Sequence, residues 1–187
     1  MAGAPADRTP PDSSQAATLA AFLRSLHRPA PAEAPANSFR GVPLSSRAAT
    51  LEPRLARLSV ELVGGGVADL WRNAVATPID LPPTWIHGDL HPRNVLTGGG
   101  AIVGIIDWGD LTAGDGATDL AAVWMLFGDP QARRAALAAY GASAATERRA
   151  RGWAILFGTM LLETGLRDMP RHALIGERTL RRVAEPI

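Results

Sequence analysis

His87-Gly88-Asp89-Leu90-His91-Pro92-Arg93-Asn94, followed by Ile105-Ile106-Asp107-Trp108-Gly109-Asp110, is the stretch on which the fold turns. Its glycine and proline make the first block a loop that carries a carboxylate and an amide five residues apart. Val95-Leu96-Thr97 and Ala101-Ile102-Val103-Gly104-Ile105-Ile106 read as two apolar strands around the short turn Gly98-Gly99-Gly100, and so short a turn forces antiparallel pairing. The hairpin returns Asp107 to the side of the loop, so Asp89, Asn94 and Asp107 are predicted to share one site. Phosphoryl transfer from a nucleotide needs those chemical types. One carboxylate orients a hydroxyl, while an amide and a second carboxylate hold Mg²⁺ on the phosphates.

Outward from this element the chain reads as helices. Ser13 or Ser14 can cap a helix reaching about His27, with Leu19, Phe22, Leu23 and Leu26 at three- and four-residue steps. Prolines from 29 to 35 end it in a linker. Ser45 or Ser46 starts a second helix with Leu51, Leu55, Leu58 and Leu62 on one face, closed by Gly64-Gly65-Gly66. A third spans Val67 to Ala76, after which Pro78, Pro82 and Pro83 impose extended chain. Beyond the hairpin, Thr118 is placed to cap a helix over Asp119 to Phe127. Further helices are expected from about Gln131 to Tyr140, Thr146 to Leu166 and His172 to Ala184.

Composition narrows the class. A chain of 187 residues can bury a core as one domain. With 19 basic and 18 acidic residues there is no polycationic face for nucleic acid or an anionic membrane. Cysteine is absent, so any metal must sit on oxygen or imidazole. Residues 1–15 lack the apolar run of a signal peptide and read as a flexible amino-terminal segment. The longest apolar run, Trp153 to Leu162, is too short to span a bilayer. A cytoplasmic location is the expectation. Every basic residue other than histidine is arginine, and lysine is absent.

With Leu19-Ala20-Ala21-Phe22-Leu23 before them and Thr118-Asp119-Leu120-Ala121 after them, the two motifs resemble the aminoglycoside phosphotransferase family, a group with a protein-kinase-like fold. The paired motifs, with Asp89 and Asp107 eighteen positions apart, carry the resemblance, which runs from about Ala16 to the end. It implies a mainly helical α+β fold over 16–187, the carboxy-terminal lobe of a kinase-like enzyme, with one small β-hairpin carrying the metal site. The amino-terminal β lobe, with its phosphate-covering loop and lysine, is absent from the reading. The resemblance further implies that Asp89 is the catalytic carboxylate and that Asn94 and Asp107 are Mg²⁺ ligands. ATP, or GTP, is then the phosphate donor and a small hydroxylated molecule the acceptor. Asp119 would brace the catalytic loop.

The remaining residues have plainer readings. His87 packs and hydrogen-bonds to hold the loop, His91 is a loop anchor or a phosphate contact, and Asp110 sits beside the metal or caps the next turn. Trp108 is expected behind the metal loop. His27 and His172 read as solvent-facing or helix-end residues, and the arginine pairs 133–134, 148–149 and 181–182 as solvated helix surfaces. Two rival functions stand beside phosphotransfer. One is a metal-dependent hydrolase using His87, Asp89 and His91 as ligands. The other is an inactive kinase-like remnant serving as a binding module. Activity on the first reading calls for an amino-terminal lobe supplied in trans.

Overall fold

The computed structural model describes residues 3–58 and 66–186. Its first strand, Ala4–Pro5 (β1), is followed by α1 (Ala16–Leu26), α2 (Ala48–Leu55), α3 (Val67–Val75) and β2 (Thr84–Ile86). The hairpin strands β3 (Val95–Gly98) and β4 (Ala101–Ile105) and the short β5 (Thr112–Gly114) come next. The chain then runs through α4 (Ala117–Leu120), α5 (Ala122–Leu126), α6 (Pro130–Tyr140), α7 (Ala144–Arg167) and α8 (Pro170–Ala184). This is a mainly helical α+β fold. Leu62, Gly64 and Gly65, expected at the end of the second helix, lie outside the described residues.

The hairpin closes through Gly99 and Gly100, both at positive φ (57° and 80°), as a two-residue turn that matches strand twist requires. Leu96 opposes Gly104 but Thr97 opposes Ile102, so Val103 is an extra residue bulged toward solvent. Two strand pairings were not expected from sequence. β1 adds to the free edge of β3, with Ala4 opposite Thr97 and Pro5 opposite Leu96. β2 pairs antiparallel with β5 through Trp85 and Ala113. Residues 4–15, read from sequence as a flexible segment, make contacts with the hairpin: Ala6 is buried, its N–H donates to Val95 O at 2.8 Å, and Asp12 N donates to Gly100 O at 2.9 Å.

The core is gathered by α7. Its residues Trp153, Ala154, Ile155 and Leu162 are enclosed, and Leu19, Leu23, Trp71, Trp124 and Leu180 close around them from the other helices. Ser143 caps α7 by accepting from Thr146 N at 3.0 Å, and Asp129 caps α6 by accepting from Gln131 N at 2.8 Å. Elsewhere the expected caps are replaced. Single 3₁₀ turns at Ser13–Gln15 and Leu44–Arg47 lead into α1 and α2 with no side-chain cap. Thr118 lies inside α4, and Asp115 Oδ1 instead accepts from Ala117 N at 3.2 Å. The single helix expected over 119–127 is two short helices that break at Ala121.

The arginine pairs are not solvated faces. One member of each is drawn inward, as adjacent positions on a helix point about 100° apart. Arg133 is fully buried and donates to Phe127 O and Gly128 O at 3.1 and 2.9 Å. Arg182 donates to Trp124 O and Met125 O at 3.1 and 2.9 Å. Together they satisfy carbonyls left open where α5 ends. Burial, with Arg133 and Arg178 nearby, lowers the Arg182 guanidinium to about 10.

Candidate active site

The loop from His87 to Asn94 leaves β2 and enters β3, so two strands fix its ends. Gly88 has φ +85°, and a Cβ there would meet Asp110 O at 2.7 Å, so both conformation and space demand glycine. Asp119 holds the turn from below. Its Oδ2 accepts from His87 N at 2.6 Å and its Oδ1 from Gly88 N at 2.9 Å. The His27 Nε2 donates to the same carboxylate at 3.2 Å.

His27 is thus neither solvent-facing nor merely terminal. Its Nδ1 lies 2.8 Å from the Tyr140 hydroxyl. Burial, together with the charges of Asp115 and Asp119, pushes the Tyr140 phenol up to about 12. The phenol therefore keeps its proton and donates to His27 Nδ1. This links α6 through α1 to the loop. Beside it, Asp115 accepts from Arg149 Nε at 2.7 Å, and Arg149 also donates to Asp80 Oδ1 at 2.6 Å and Pro78 O at 2.8 Å. Burial opposes the Arg149 charge, but Asp115 and Asp80 raise its pKa above the usual guanidinium value.

His87 is buried, and both ring nitrogens are engaged. Nε2 donates to Ile106 O at 3.0 Å, and Nδ1 accepts from Asp89 N at 3.3 Å. A histidine so used has no lone pair for a metal. Among the described residues no group of three or more His, Asp or Glu side chains is arranged to hold one. The hydrolase reading loses His87 as a ligand.

Asp89, Asn94 and Asp107 are brought to the same end of the hairpin. Asn94 Nδ2 donates to Asp89 O at 2.9 Å and lies 3.5 Å from Asp89 Oδ2. Ile106 N donates to Asn94 O at 2.9 Å, which sets Asp107 one residue beyond the Asn94 backbone. Asp107 adopts φ 64°, ψ 65°, the one non-glycine positive φ among the described residues. A single 3₁₀ turn, Trp108–Asp110, follows it. With its N–H groups turned to Asp89, the Asn94 amide has its oxygen left to face a cation. That oxygen and the exposed Asp107 carboxylate form a hard oxygen donor set that fits Mg²⁺, which takes one or two protein ligands and completes its shell with phosphate and water.

Other predicted residues surround this centre. His91 Nε2 is 3.5 Å from Asp89 Oδ2; burial pushes its pKa down, with Asp89 opposing and His172 and Arg93 adding to the shift. His172 lies in the first turn of α8, a helix end as expected, and there Arg93 hydrogen-bonds its ring. Asp110 accepts from Asn37 Nδ2 at 3.1 Å and faces Arg40. Trp108 is partly exposed, with its ring 4.7 Å from that of His87 and 6.2 Å from that of Phe22, so it flanks the loop instead of lying buried behind it.

Sequence reasoning missed Arg40, Asp115 and Arg149. Arg40 NH2 lies 2.9 Å from Asp89 Oδ1, yet it sits in a proline-rich linker with no periodic pattern to mark it. A signal for Asp115 existed in its position two residues before a helix start.

A lobe built on a helical core, with a braced His-Gly-Asp loop leading into an apolar hairpin that ends at Asp107, defines a kinase-like phosphotransferase class. The chain belongs to the phosphotransferase enzyme family known as APH, whose model matches residues 1–153. The fold is similar to aminoglycoside 2'-phosphotransferase-IIIa, solved as its GDP complex, at 21% identity and TM-score 0.59 over 98% of this chain and 68% of that one. It is also similar to a thermostable mutant of aminoglycoside phosphotransferase APH(4)-Ia with ADP and hygromycin B (15% identity, TM-score 0.57, 100% of this chain, 70% of that). A third similar structure is choline kinase LicA from Streptococcus pneumoniae (19% identity, TM-score 0.53, 92% and 64%). The chain thus spans about two thirds of these proteins' length. Among curated protein sequences none matches it. No helix among the described residues is long and apolar enough to cross a membrane.

Proposed function

We propose that this chain supplies the acceptor- and metal-binding part of an ATP- or GTP-dependent small-molecule phosphotransferase. The observation that carries the reading is the joint made by Asn94, whose side chain donates to Asp89 while its carbonyl takes the N–H before Asp107. Asp89 orients the acceptor hydroxyl and takes its proton as the new oxygen–phosphorus bond forms. The bond from the γ-phosphorus to the bridging oxygen breaks, and a nucleoside diphosphate leaves. Asn94 and Asp107 would hold Mg²⁺, which when bound offsets the phosphate charge. Positioning and charge complementarity carry the catalysis, with no covalent enzyme intermediate. Similar structures with GDP, or with ADP and hygromycin B, support a nucleotide donor and a hydroxylated acceptor.

Without lysine, the phosphate grip of kinase-like enzymes has to come from elsewhere. Val103, Ile106, Trp108 and Leu111 are exposed on the hairpin side of the site; such an apolar patch supports coverage by a second piece supplied in trans. Calorimetry with MgATP tests the donor side: weak binding by the chain alone, lost in Asp107→Ala, is expected. The transfer step is tested by adding a kinase-like β lobe and following phosphate incorporation into hydroxylated acceptors. Asp89→Asn should then lower the rate about 10²–10⁴-fold. Full-rate transfer by that variant would refute the assignment, and sub-micromolar MgATP binding by the chain alone would refute the need for a partner piece.

A further inference from the structure

Asp89 opens onto a cavity of about 280 Å³ lined among others by Arg40, Arg47, Leu156, Phe157 and Met160. Its size is near the low end for small-molecule sites, which run from about 300 to 1,000 Å³. A compact ligand fits it. Asp89 is the one carboxylate in the lining, against two guanidinium groups.

Both guanidiniums lie against aromatic rings. Arg40 is 5.0 Å from the centre of the Phe157 ring, and Arg47 is 5.0 Å from the centre of the Phe39 ring. Stacking occupies the face of a guanidinium and leaves its edge, the donor fork that matches a carboxylate, available. Arg40 directs that edge to Asp89 and Asp110, at 2.9 and 3.6 Å. Arg47 differs: its Nε is buried and has no hydrogen-bond partner among the described residues. No hydrogen bond or ion pair engages the Arg47 Nη atoms among the described residues, so at the cavity they are left to take an anionic acceptor. Glu163, on α7, is held by Arg54 and Arg57 at 2.7 and 2.9 Å and is not part of the cavity lining.

We propose that the acceptor is a compact hydroxy acid. Its apolar body lies on Leu156, Phe157 and Met160, its carboxylate is taken by Arg47, and its hydroxyl faces Asp89. A polycation would meet two arginines and a single carboxylate already paired with one of them. The role of the hydroxyl rests on the phosphotransferase reading, whereas the seat of the carboxylate on Arg47 does not.

Calorimetry on the whole chain, without nucleotide, separates the two. The probes are mandelate, phenyllactate and hydroxycaproate, each beside its methyl ester, with kanamycin as the polycation. At least one acid should bind about tenfold or more tightly than its ester. Arg47→Gln should bring acid and ester to parity, and Arg47→Lys should keep part of the preference; circular dichroism checks that both variants stay folded. Equal binding of acids and esters, tighter binding of kanamycin, absence of binding across the panel, or an acid preference that survives Arg47→Gln overturns the proposal. Acid-selective binding without phosphate transfer in the two-piece assay would count against the transfer reading alone. Transfer to kanamycin in preference to the acids would count against the acceptor class alone.

Discussion

The Arg40 guanidinium and the Asp89 carboxylate, 49 positions apart, meet at 2.9 Å. This contact ties the proline-rich linker to the loop at the candidate catalytic centre. Both side chains are about a quarter exposed (24% and 26%), so water screens the pair and its worth to folding is about 0–1 kcal/mol. Arg40→Gln should therefore barely move the denaturant midpoint. In an assembly that transfers phosphate, the same change should lower kcat about tenfold by freeing Asp89 from its set orientation. A stability loss well above 1 kcal/mol would mean the contact is chiefly architectural.

Asp119 offers the opposite balance. It is buried and accepts from His87 N, Gly88 N and His27 Nε2. Asp119→Ala strands these donors in the interior, where each costs about 1–3 kcal/mol. Urea unfolding should show a loss of about 3 kcal/mol or more. A loss under about 1 kcal/mol would mean the loop keeps its shape without this brace.

The buried pair of Arg149 and Asp115, 2.7 Å apart with side chains 1% and 3% exposed, calls for a double-mutant cycle. Arg149→Ala leaves Asp115 charged and enclosed, at a cost of about 3–5 kcal/mol. Removing both groups should cost clearly less than the sum of the single changes. Additive losses would show that the two groups do not interact.

Two histidines set an acid dependence of stability. Burial lowers His91 below its usual 6.5, and burial with Arg93 lowers His172 likewise. A histidine with a depressed folded-state pKa takes its proton more readily when unfolded. Its stability is complete above 6.5 and declines as pH falls below that value. The midpoint of unfolding should drop between about pH 7 and 5, and the His91→Gln, His172→Gln double variant should flatten the slope. Glu163 does not contribute in that window: burial pushes its carboxyl up, yet Arg57 and Arg54 hold it below the usual 4.5, so its contribution is lost only under stronger acid. An unchanged slope in the double variant would place the titrating groups elsewhere.

The hairpin and the long helices were legible because each depends on local pattern. Paired glycines at 99 and 100 and an apolar period of three to four act within a few residues. What sequence did not disclose is set by distant partners. Nothing around Ala4–Pro5 announces a strand, since its partner lies some ninety residues on at Leu96–Thr97. His27 lacks a local partner but meets Asp119 and Tyr140 through folding. Arg133 and Arg149 look like solvated charges until the carbonyls and carboxylates that hold them arrive from other elements. At the candidate site, motif spacing indicated that Asp89, Asn94 and Asp107 would lie together, whereas Arg40 and Arg47 carried no spacing to read.

Asp107 keeps a left-handed backbone where a side chain costs about 1 kcal/mol or more relative to glycine. Its conformation and its carboxylate therefore pull in opposite directions. A library of this chain sorted for heat resistance alone would drift toward Gly or Asn at this position, and one sorted for phosphate transfer would hold the aspartate. Divergence of the two populations at one codon would register, in a single residue, how far durability has been given up for chemistry.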